Sequence, residues 1–217
     1  MAISSTTEQF NHPQRASLLR RALFLEILTV GWNIVEGVIA VTAALAAGSV
    51  ALLGFGIDSF VESFSGSILL WRLRAERHDM SGAEIEKLDR RARKLVAVSL
   101  FLLAAWVAFD GVRSLWEREQ PEASLVGILL TTVSIFVMLW LGRSKRRAAA
   151  ALGSRALKAD AFQTTACWWL SVIALAGIGL NASLGWWWAD PLAALAMTPL
   201  IVHEGREAWR GEECDCR

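Results

Sequence analysis

Two acidic residues interrupt a long apolar stretch of the chain. Asp58 and Glu62 are four residues apart, so they lie on one face of a helix. An ionised side chain at the centre of a bilayer costs about 2.5–3.5 kcal/mol or more. Two like charges one turn apart in lipid therefore need a cation, a proton or a water-filled cavity. This pair is predicted to be functional.

A second polar pair stands in another apolar stretch. Gln163 and Cys167 are also four residues apart, and Asp160 lies on the same stripe, one turn before them. Two carboxylates, an amide oxygen and a thiolate suit a divalent cation of borderline softness such as Zn²⁺. A lone Gln or Cys in a membrane helix usually serves packing or hydrogen bonding between helices. Both interpretations stay open for Gln163 and Cys167.

The elements that carry these pairs are predicted to be transmembrane helices. The 217 residues are 54% hydrophobic and have a mean hydropathy of +0.40. Crossing a hydrocarbon layer of about 30 Å takes about 20 helical residues. The apolar runs are continuous, whereas a membrane barrel alternates with period 2. The predicted fold class is an all-α membrane protein, a bundle of six transmembrane helices over residues 22–47, 49–73, 95–115, 124–141, 159–180 and 186–203.

The cations set the predicted orientation. With the N-terminus inside, all of the 22 Lys and Arg residues except Arg113 and Arg118 fall on the cytoplasmic side. The positive-inside rule then places both ends in the cytoplasm, N-in and C-in. The expected organisation is a polar cytoplasmic segment (1–17), a membrane domain (18–210) and a short cytoplasmic tail (211–217). The expected location is the inner membrane of a bacterium, and no secretory signal is predicted.

This orientation brings the two polar pairs to similar depths. At 1.5 Å per residue, Asp58 and Glu62 lie roughly 13 and 20 Å from the outer surface. Gln163 and Cys167 lie about 6 and 12 Å from the inner surface. For a core of about 30 Å, these layers overlap. The four side chains can therefore converge as four ligands of one metal ion.

Other polar residues near the membrane are assigned structural roles. Asp110 is one turn from Arg113, which favours a local ion pair. Asp190 precedes a proline, the pattern of a helix start, so capping is favoured over metal ligation. His203 and Glu204 are predicted to be interfacial at the inner end. The fourth stretch, residues 124–141, holds only hydroxyls among its polar groups.

Two charged segments are expected outside the membrane. The connection 74–94 reads as a charged cytoplasmic helix or loop, and a solvated surface is favoured over a binding patch. Cys214 and Cys216 form a Cys-Asp-Cys tail on the reducing side, where no disulfide is implied. An inert tail is favoured over metal capture by the two thiols.

Three motifs resemble the cation diffusion facilitator family. The run 49–53 followed by 56–62 is similar to the family's second helix, where an Asp-x-x-x-Asp pair follows a Gly-Ser-x-Ala-Leu entrance. Residues 156–163 look like the start of its fifth helix, and residues 188–195 look like the start of its sixth. The six-helix topology with both ends inside also matches. The resemblance covers residues 18–210.

The resemblance implies a proton-coupled exporter of divalent metal that works as a homodimer by alternating access. Asp58 and Glu62 match the family's first ligand pair, and Gln163 and Cys167 occupy its second, a His/Asp-x-x-x-Asp arrangement. Glu62 stands where the family has Asp and keeps the negative charge. Gln163 stands where the family has His and removes a titratable group, and Cys167 stands where it has Asp and makes the site softer. Proton coupling would then fall on Glu62, Cys167 or another carboxylate.

The first helix offers residues behind the ligands. Asn33 and Glu36, with Glu26, share a stripe that could face the second helix. Asn33, Glu36 and Asp160 are candidates for supporting the ligands or relaying protons; for Glu36, a hydrogen bond from its protonated form is an equal alternative. The sequence ends where the family usually has a ferredoxin-like cytoplasmic domain, so no such domain is expected here. A dimer is therefore expected to rest on the membrane helices and the connection 74–94.

Two classes of function remain. One is an exporter of Zn²⁺ or a similar ion; the other is a non-transporting membrane sensor or assembly partner on the same scaffold. An enzyme is not expected, because the sequence shows no nucleophile–base pair and no cofactor motif. Neither a prosthetic group nor a nucleic-acid partner is expected. The expected partners are a divalent metal ion, the lipid bilayer and a second copy of the chain.

Overall fold

The protein is a bundle of six α-helices. The computed structural model describes residues 12–75, 82–152 and 155–210, and these residues contain no strand. The predicted all-α fold is confirmed. Residues 1–11 and the Cys-Asp-Cys tail lie outside the described residues. The helices are α1 (His12–Ala47), α2 (Val50–Ala75), α3 (Gly82–Glu117), α4 (Leu125–Leu152), α5 (Arg155–Leu184) and α6 (Ala189–Arg210).

Five of these helices are long and apolar enough to cross a membrane. The qualifying segments are Ser17–Ala47, Val50–Trp71, Lys94–Glu117, Leu125–Leu152 and Asp160–Leu184. Helix α6 is not among them, because Asp190 near its start and several charged residues toward its end shorten its apolar run. The chain is thus a multi-pass membrane protein, while the sixth crossing and the N-in, C-in orientation stay predictions.

Short turns make neighbours of α1 and α2, and of α5 and α6. Gly48 and Gly185 occupy these turns with φ of 68° and 65°, a left-handed conformation that glycine adopts without a steric penalty. Helix α2 also packs against α3, α5 and α6, and α4 packs against α1 and α5. Helix α2 therefore contacts four other helices, which buries the face that carries Asp58 and Glu62.

Asp190 has a capping role, but for a different helix from the one expected. Its carboxylate accepts hydrogen bonds from Ser49 Oγ at 2.6 Å and from the backbone N–H of Val50 at 2.9 Å. These donors belong to the start of α2, whereas Asp190 itself lies in the first turn of α6. The interaction satisfies an orphan N–H of α2 and fixes the N-terminal end of α2 against α6.

The helices continue beyond the apolar stretches that predicted them, and the extensions are longest in α1, α3 and α4. Helix α3 begins at Gly82 and α1 begins at His12, so part of the connection 74–94 and part of the segment 1–17 are helical. Helix α4 runs eleven residues past the predicted limit of Leu141, to Leu152. This extension carries Lys145 into the protein interior.

Candidate metal site between the helices

The two acidic residues on α2 are both buried. Asp58 is 3% exposed and Glu62 is 4% exposed. Neither carboxylate oxygen of Glu62 makes a hydrogen bond of good geometry within the described residues, although Cys167 and Asn33 lie close to it. A buried carboxylate without a donor is costly, so this position calls for a proton or a cation.

Helix α5 turns its polar pair toward α2. Cys167 is 1% exposed, and its thiol interacts electrostatically with Glu62 and Asp58. Gln163 Oε1 accepts a hydrogen bond from Ser65 Oγ, on α2, at 3.2 Å. Both predicted pairs therefore lie at the α2–α5 interface.

The four predicted ligands do not form a closed coordination shell in this conformation. Among the described residues, no three His, Cys, Asp or Glu side chains are grouped so that they could hold a metal ion. The assignment of Asp58, Glu62, Gln163 and Cys167 as ligands remains a prediction. The structure shows which helices carry them and that their faces meet.

Helix α1 supplies the predicted stripe behind this pair. Glu36 is fully buried, and its Oε2 accepts a hydrogen bond from Ser59 Oγ of α2 at 3.1 Å. Asn33 is fully buried and interacts with Glu62, and its amide makes no hydrogen bond of good geometry within the part of the chain that the structure describes. The stripe faces α2 as expected, and its role as a support or proton relay stays a prediction.

Lys145 is the main residue that sequence reasoning missed. It was counted among the cations of the inner surface, but its side chain is completely buried. Its Nζ lies 2.9 Å from Glu26 Oε2 on α1 and 2.6 Å from Asp160 Oδ2 on α5. We call Glu26, Lys145 and Asp160 the buried triad. It joins three helices through one ammonium group.

A signal for Lys145 does exist in the sequence. The buried face of α4 recurs every three or four residues through Thr131, Ser134, Met138 and Leu141. The same spacing continues to Lys145. The hydrophobic stretch ends at Leu141, whereas the helix and its buried face do not.

Glu204 was wrongly predicted to be interfacial. It is 7% exposed, whereas the neighbouring His203 is exposed and lies 3.5 Å from Glu207 through its Nε2. Asp58, Glu62 and Glu207, all acidic, lie close enough to Glu204 to interact with it electrostatically. Helix rotation explains the difference, because two consecutive residues point about 100° apart.

Asp110 forms the predicted ion pair near the C-terminal end of α3. Its Oδ1 lies 3.0 Å from Arg113 Nη2, and Glu119 approaches the same guanidinium at 3.3 Å. These residues line a cavity of about 360 Å³. None of the four predicted ligands lines it, so this ion pair is separate from the candidate site.

The buried part of the bundle has an excess of negative charge. Its acidic members at or behind the site are Glu26, Glu36, Asp58, Glu62 and Glu204, and Lys145 is the one basic side chain among the buried residues that the structure describes. Such groups in a membrane mark ion or proton pathways. This surplus can be neutralised by protons or by a cation, and a divalent metal supplies two charges at once.

The comparison with known families decides the classification. A profile of the cation efflux transmembrane domain matches residues 27–210, most of the 217-residue chain. The chain belongs to the cation diffusion facilitator family. The matched region extends from α1 to the last residue of α6 and includes the whole candidate site.

Three curated relatives of this cation diffusion facilitator are similar over most of its length. Protein p34 of Rickettsia rickettsii is 27% identical over 201 residues, 90% of this chain and 64% of the relative. The cation-efflux pump FieF of Shewanella oneidensis is 28% identical over 178 residues, 79% and 57% respectively. An uncharacterized transporter of Synechocystis is 24% identical over 190 residues, 85% and 60%. The chain thus spans about three-fifths of the length of these relatives.

Proposed function

We propose that this protein exports a divalent metal cation, Zn²⁺ or an ion of similar softness, by proton-coupled alternating access. The proposed ligands are the two pairs at the α2–α5 interface, namely Asp58, Glu62, Gln163 and Cys167. The observation that carries the proposal is the buried carboxylate of Glu62, which makes no hydrogen bond of good geometry within the described residues and lies beside the thiol of Cys167. Membership of the cation diffusion facilitator family and the name of the Shewanella relative, a cation-efflux pump, also support metal export.

The donor set fits Zn²⁺ chemically. Carboxylate oxygen and cysteine sulfur are both common zinc ligands. The amide oxygen of Gln163 is the one proposed donor that suits harder ions better. Because the side chains are not grouped as a metal site in the described conformation, metal binding is proposed to draw α2 and α5 together. Movement of helices that face each other is what alternating access requires.

Proton coupling is proposed to involve acidic groups and the thiol rather than Gln163. A neutral amide neither releases nor gains a proton in the physiological range, whereas a metal-bound thiol must lose its proton. Glu62 and Cys167 would then give up protons as the metal binds. Asn33, Glu36 and Asp160 are proposed to orient the ligands or carry those protons.

The protein is proposed to work as a homodimer in the inner membrane of a bacterium. Many large apolar side chains face outward, among them Leu102, Phe109, Leu129 and Phe136. Such a surface suits both lipid and a second transmembrane bundle. Cross-linking in native membranes would show which surface faces the second copy.

The test is metal flux into sealed proteoliposomes with an acidic interior. Wild-type protein is expected to carry Zn²⁺, and Asp58→Asn is expected to reduce the rate by about tenfold or more, corresponding to at least about 1.4 kcal/mol. Asp110→Asn is the matched control, since it removes an acidic group outside the site. Equal and poor movement of Zn²⁺, Cd²⁺, Mn²⁺ and Fe²⁺ by wild type and Asp58→Asn would favour the sensor or assembly role instead.

A further inference from the structure

The buried triad links three helices through a lysine that has no access to solvent. Lys145 and Glu26 are both 0% exposed, and Asp160 is 10% exposed. Lysine is almost never fully buried unless it is paired. Here the ammonium has two carboxylates and also lies 3.4 Å from Thr164 Oγ1. The network holds two acids against one base.

The triad lies on the cytoplasmic side of the candidate metal site in the predicted orientation. Lys145 is seven residues before the inner end of α4, or about 10 Å along the axis. Cys167 is seven residues beyond Asp160 on α5, about 10 Å further toward the outer side. Glu62 interacts electrostatically with both Lys145 and Asp160. The triad therefore stands between the inner helix ends and the α2–α5 pairs.

The close packing around Glu26 depends on a glycine. A Cβ at Gly66 of α2 would lie 2.5 Å from Glu26 Oε1, which is too close for an ordinary contact. The absence of a side chain at Gly66 thus allows the carboxylate of α1 to sit against α2 while it binds the ammonium of α4. Helices α1, α2, α4 and α5 all meet at this layer.

Stability alone is a weak explanation for such a network. Well-packed apolar residues often equal or exceed a buried ion pair in stability. Moving the single ammonium, however, breaks the whole network and releases three helices together. It also presents two carboxylates to any cation that arrives from the inner side.

We propose that Lys145 is a resident counter-cation that closes the cytoplasmic route to the site. Its ammonium holds Glu26 and Asp160 together, and a divalent cation arriving from the cytoplasm displaces it from those carboxylates. Displacement separates α1, α4 and α5 and opens the way to Glu62 and Cys167. The proposal rests on the proposed metal transport for its purpose, but the closure itself is a property of the protein without metal.

The test uses Cys167 as a reporter of access. The chain has three cysteines, so replacing Cys214 and Cys216 by Ser leaves Cys167 alone. A membrane-impermeant cationic thiol reagent is added to inverted vesicles, which expose the cytoplasmic face, and separately to right-side-out spheroplasts. Lys145→Gln is expected to raise the modification rate about tenfold or more from the cytoplasmic side, corresponding to at least about 1.4 kcal/mol in the opening equilibrium. The rate from the outer side is expected to stay unchanged.

Arg146→Gln is the matched control. Arg146 is the next residue, is exposed and also reaches α5, where its Nη1 donates to Thr165 Oγ1 at 3.3 Å. Its loss is expected to leave the labelling of Cys167 unchanged. Asp160→Asn is a milder second variant, because it leaves Glu26 paired with Lys145, and a smaller rise on the same side is expected.

A charge swap provides the decisive rescue. Lys145→Asp combined with Asp160→Lys returns the opposite charges to the same place and is expected to restore slow labelling. Equal rises from both faces, no rise in either variant, or a rise that the swap leaves in place would overturn the proposal. The labelling assay contains no metal, so its result stands even if the protein fails to transport Zn²⁺. If Zn²⁺ transport is normal but the labelling of Cys167 does not change, only the proposed closure by Lys145 is overturned.

Discussion

Ser65 on α2 donates a hydrogen bond to Gln163 Oε1 on α5 at 3.2 Å. This contact joins the two helices that carry the predicted ligands, one turn from Glu62. It also occupies the amide oxygen that the metal is proposed to bind. The metal and the Ser65 hydroxyl would then compete for one acceptor.

Ser65→Ala is therefore expected to strengthen Zn²⁺ binding. A neutral hydrogen bond contributes about 0.5–1.5 kcal/mol, so the dissociation constant is expected to fall by about two- to tenfold. Equilibrium dialysis of the purified protein against Zn²⁺ measures it. Ser67→Ala is the control, because Ser67 Oγ donates to Ser63 O within α2. Weaker Zn²⁺ binding by Ser65→Ala would instead mean that the Ser65 hydroxyl holds Gln163 in place for the metal.

Glu204 is expected to contribute to cation affinity from α6. Its neighbours Asp58 and Glu62 are also acidic, so neutralising it lowers the negative potential at the site. Glu204→Gln is expected to weaken Zn²⁺ binding about tenfold, or about 1.4 kcal/mol. Glu207→Gln, a change one turn away beside His203, is expected to have little effect in the same dialysis experiment. Equal effects of both changes would mean that Glu204 acts only through the general surface charge.

Removing one member of the buried triad is expected to destabilise the bundle. Breaking a buried ion pair from one side costs about 3–5 kcal/mol, so Lys145→Ala is expected to lower the midpoint of thermal unfolding in detergent. Arg146→Ala, at an exposed neighbouring position, is expected to change stability by about 0.5 kcal/mol or less. Neutralising the whole triad with Lys145→Met, Glu26→Gln and Asp160→Asn is expected to recover most of the loss. A triple variant as unstable as Lys145→Ala would refute the electrostatic explanation.

Asp190 is expected to matter for stability and not for metal binding. Asp190→Ala removes the acceptor of Ser49 Oγ and Val50 N–H at the start of α2, and loss of such a cap costs about 0.5–2 kcal/mol. The midpoint temperature of thermal unfolding is expected to fall, while the Zn²⁺ affinity of the folded protein is expected to stay the same. A variant that folds normally but has lost Zn²⁺ would make Asp190 a ligand.

The sequence predicted the helices and the facing pairs for a clear physical reason. Residues four apart share a helix face, and the cost of charge in lipid marks Asp58 and Glu62. The depth of a residue in the membrane could be counted along its helix. The direction in which its side chain points could not be established where the apolar run ends. Lys145 and Glu204 both lie at such ends, and both point inward.

Capping shows a different limit of the sequence. The Asp-Pro pattern at residues 190–191 correctly indicated a helix start and a structural role for Asp190. The groups that it satisfies, Ser49 Oγ and Val50 N–H, are about 140 residues away in the chain. Local pattern gives the type of interaction, whereas the tertiary packing of α6 against α2 selects the partner.

The most direct test of a shared α2–α5 site is the Zn²⁺ K-edge absorption spectrum of the loaded protein. The protein carries Cys214→Ser and Cys216→Ser, so any sulfur ligand comes from Cys167. The proposal predicts a sulfur shell at about 2.3 Å with oxygen ligands at about 2.0–2.2 Å, loss of the sulfur in Cys167→Ser and loss of bound Zn²⁺ in Asp58→Asn. Bound Zn²⁺ without sulfur, or an unchanged spectrum in Asp58→Asn, would contradict it.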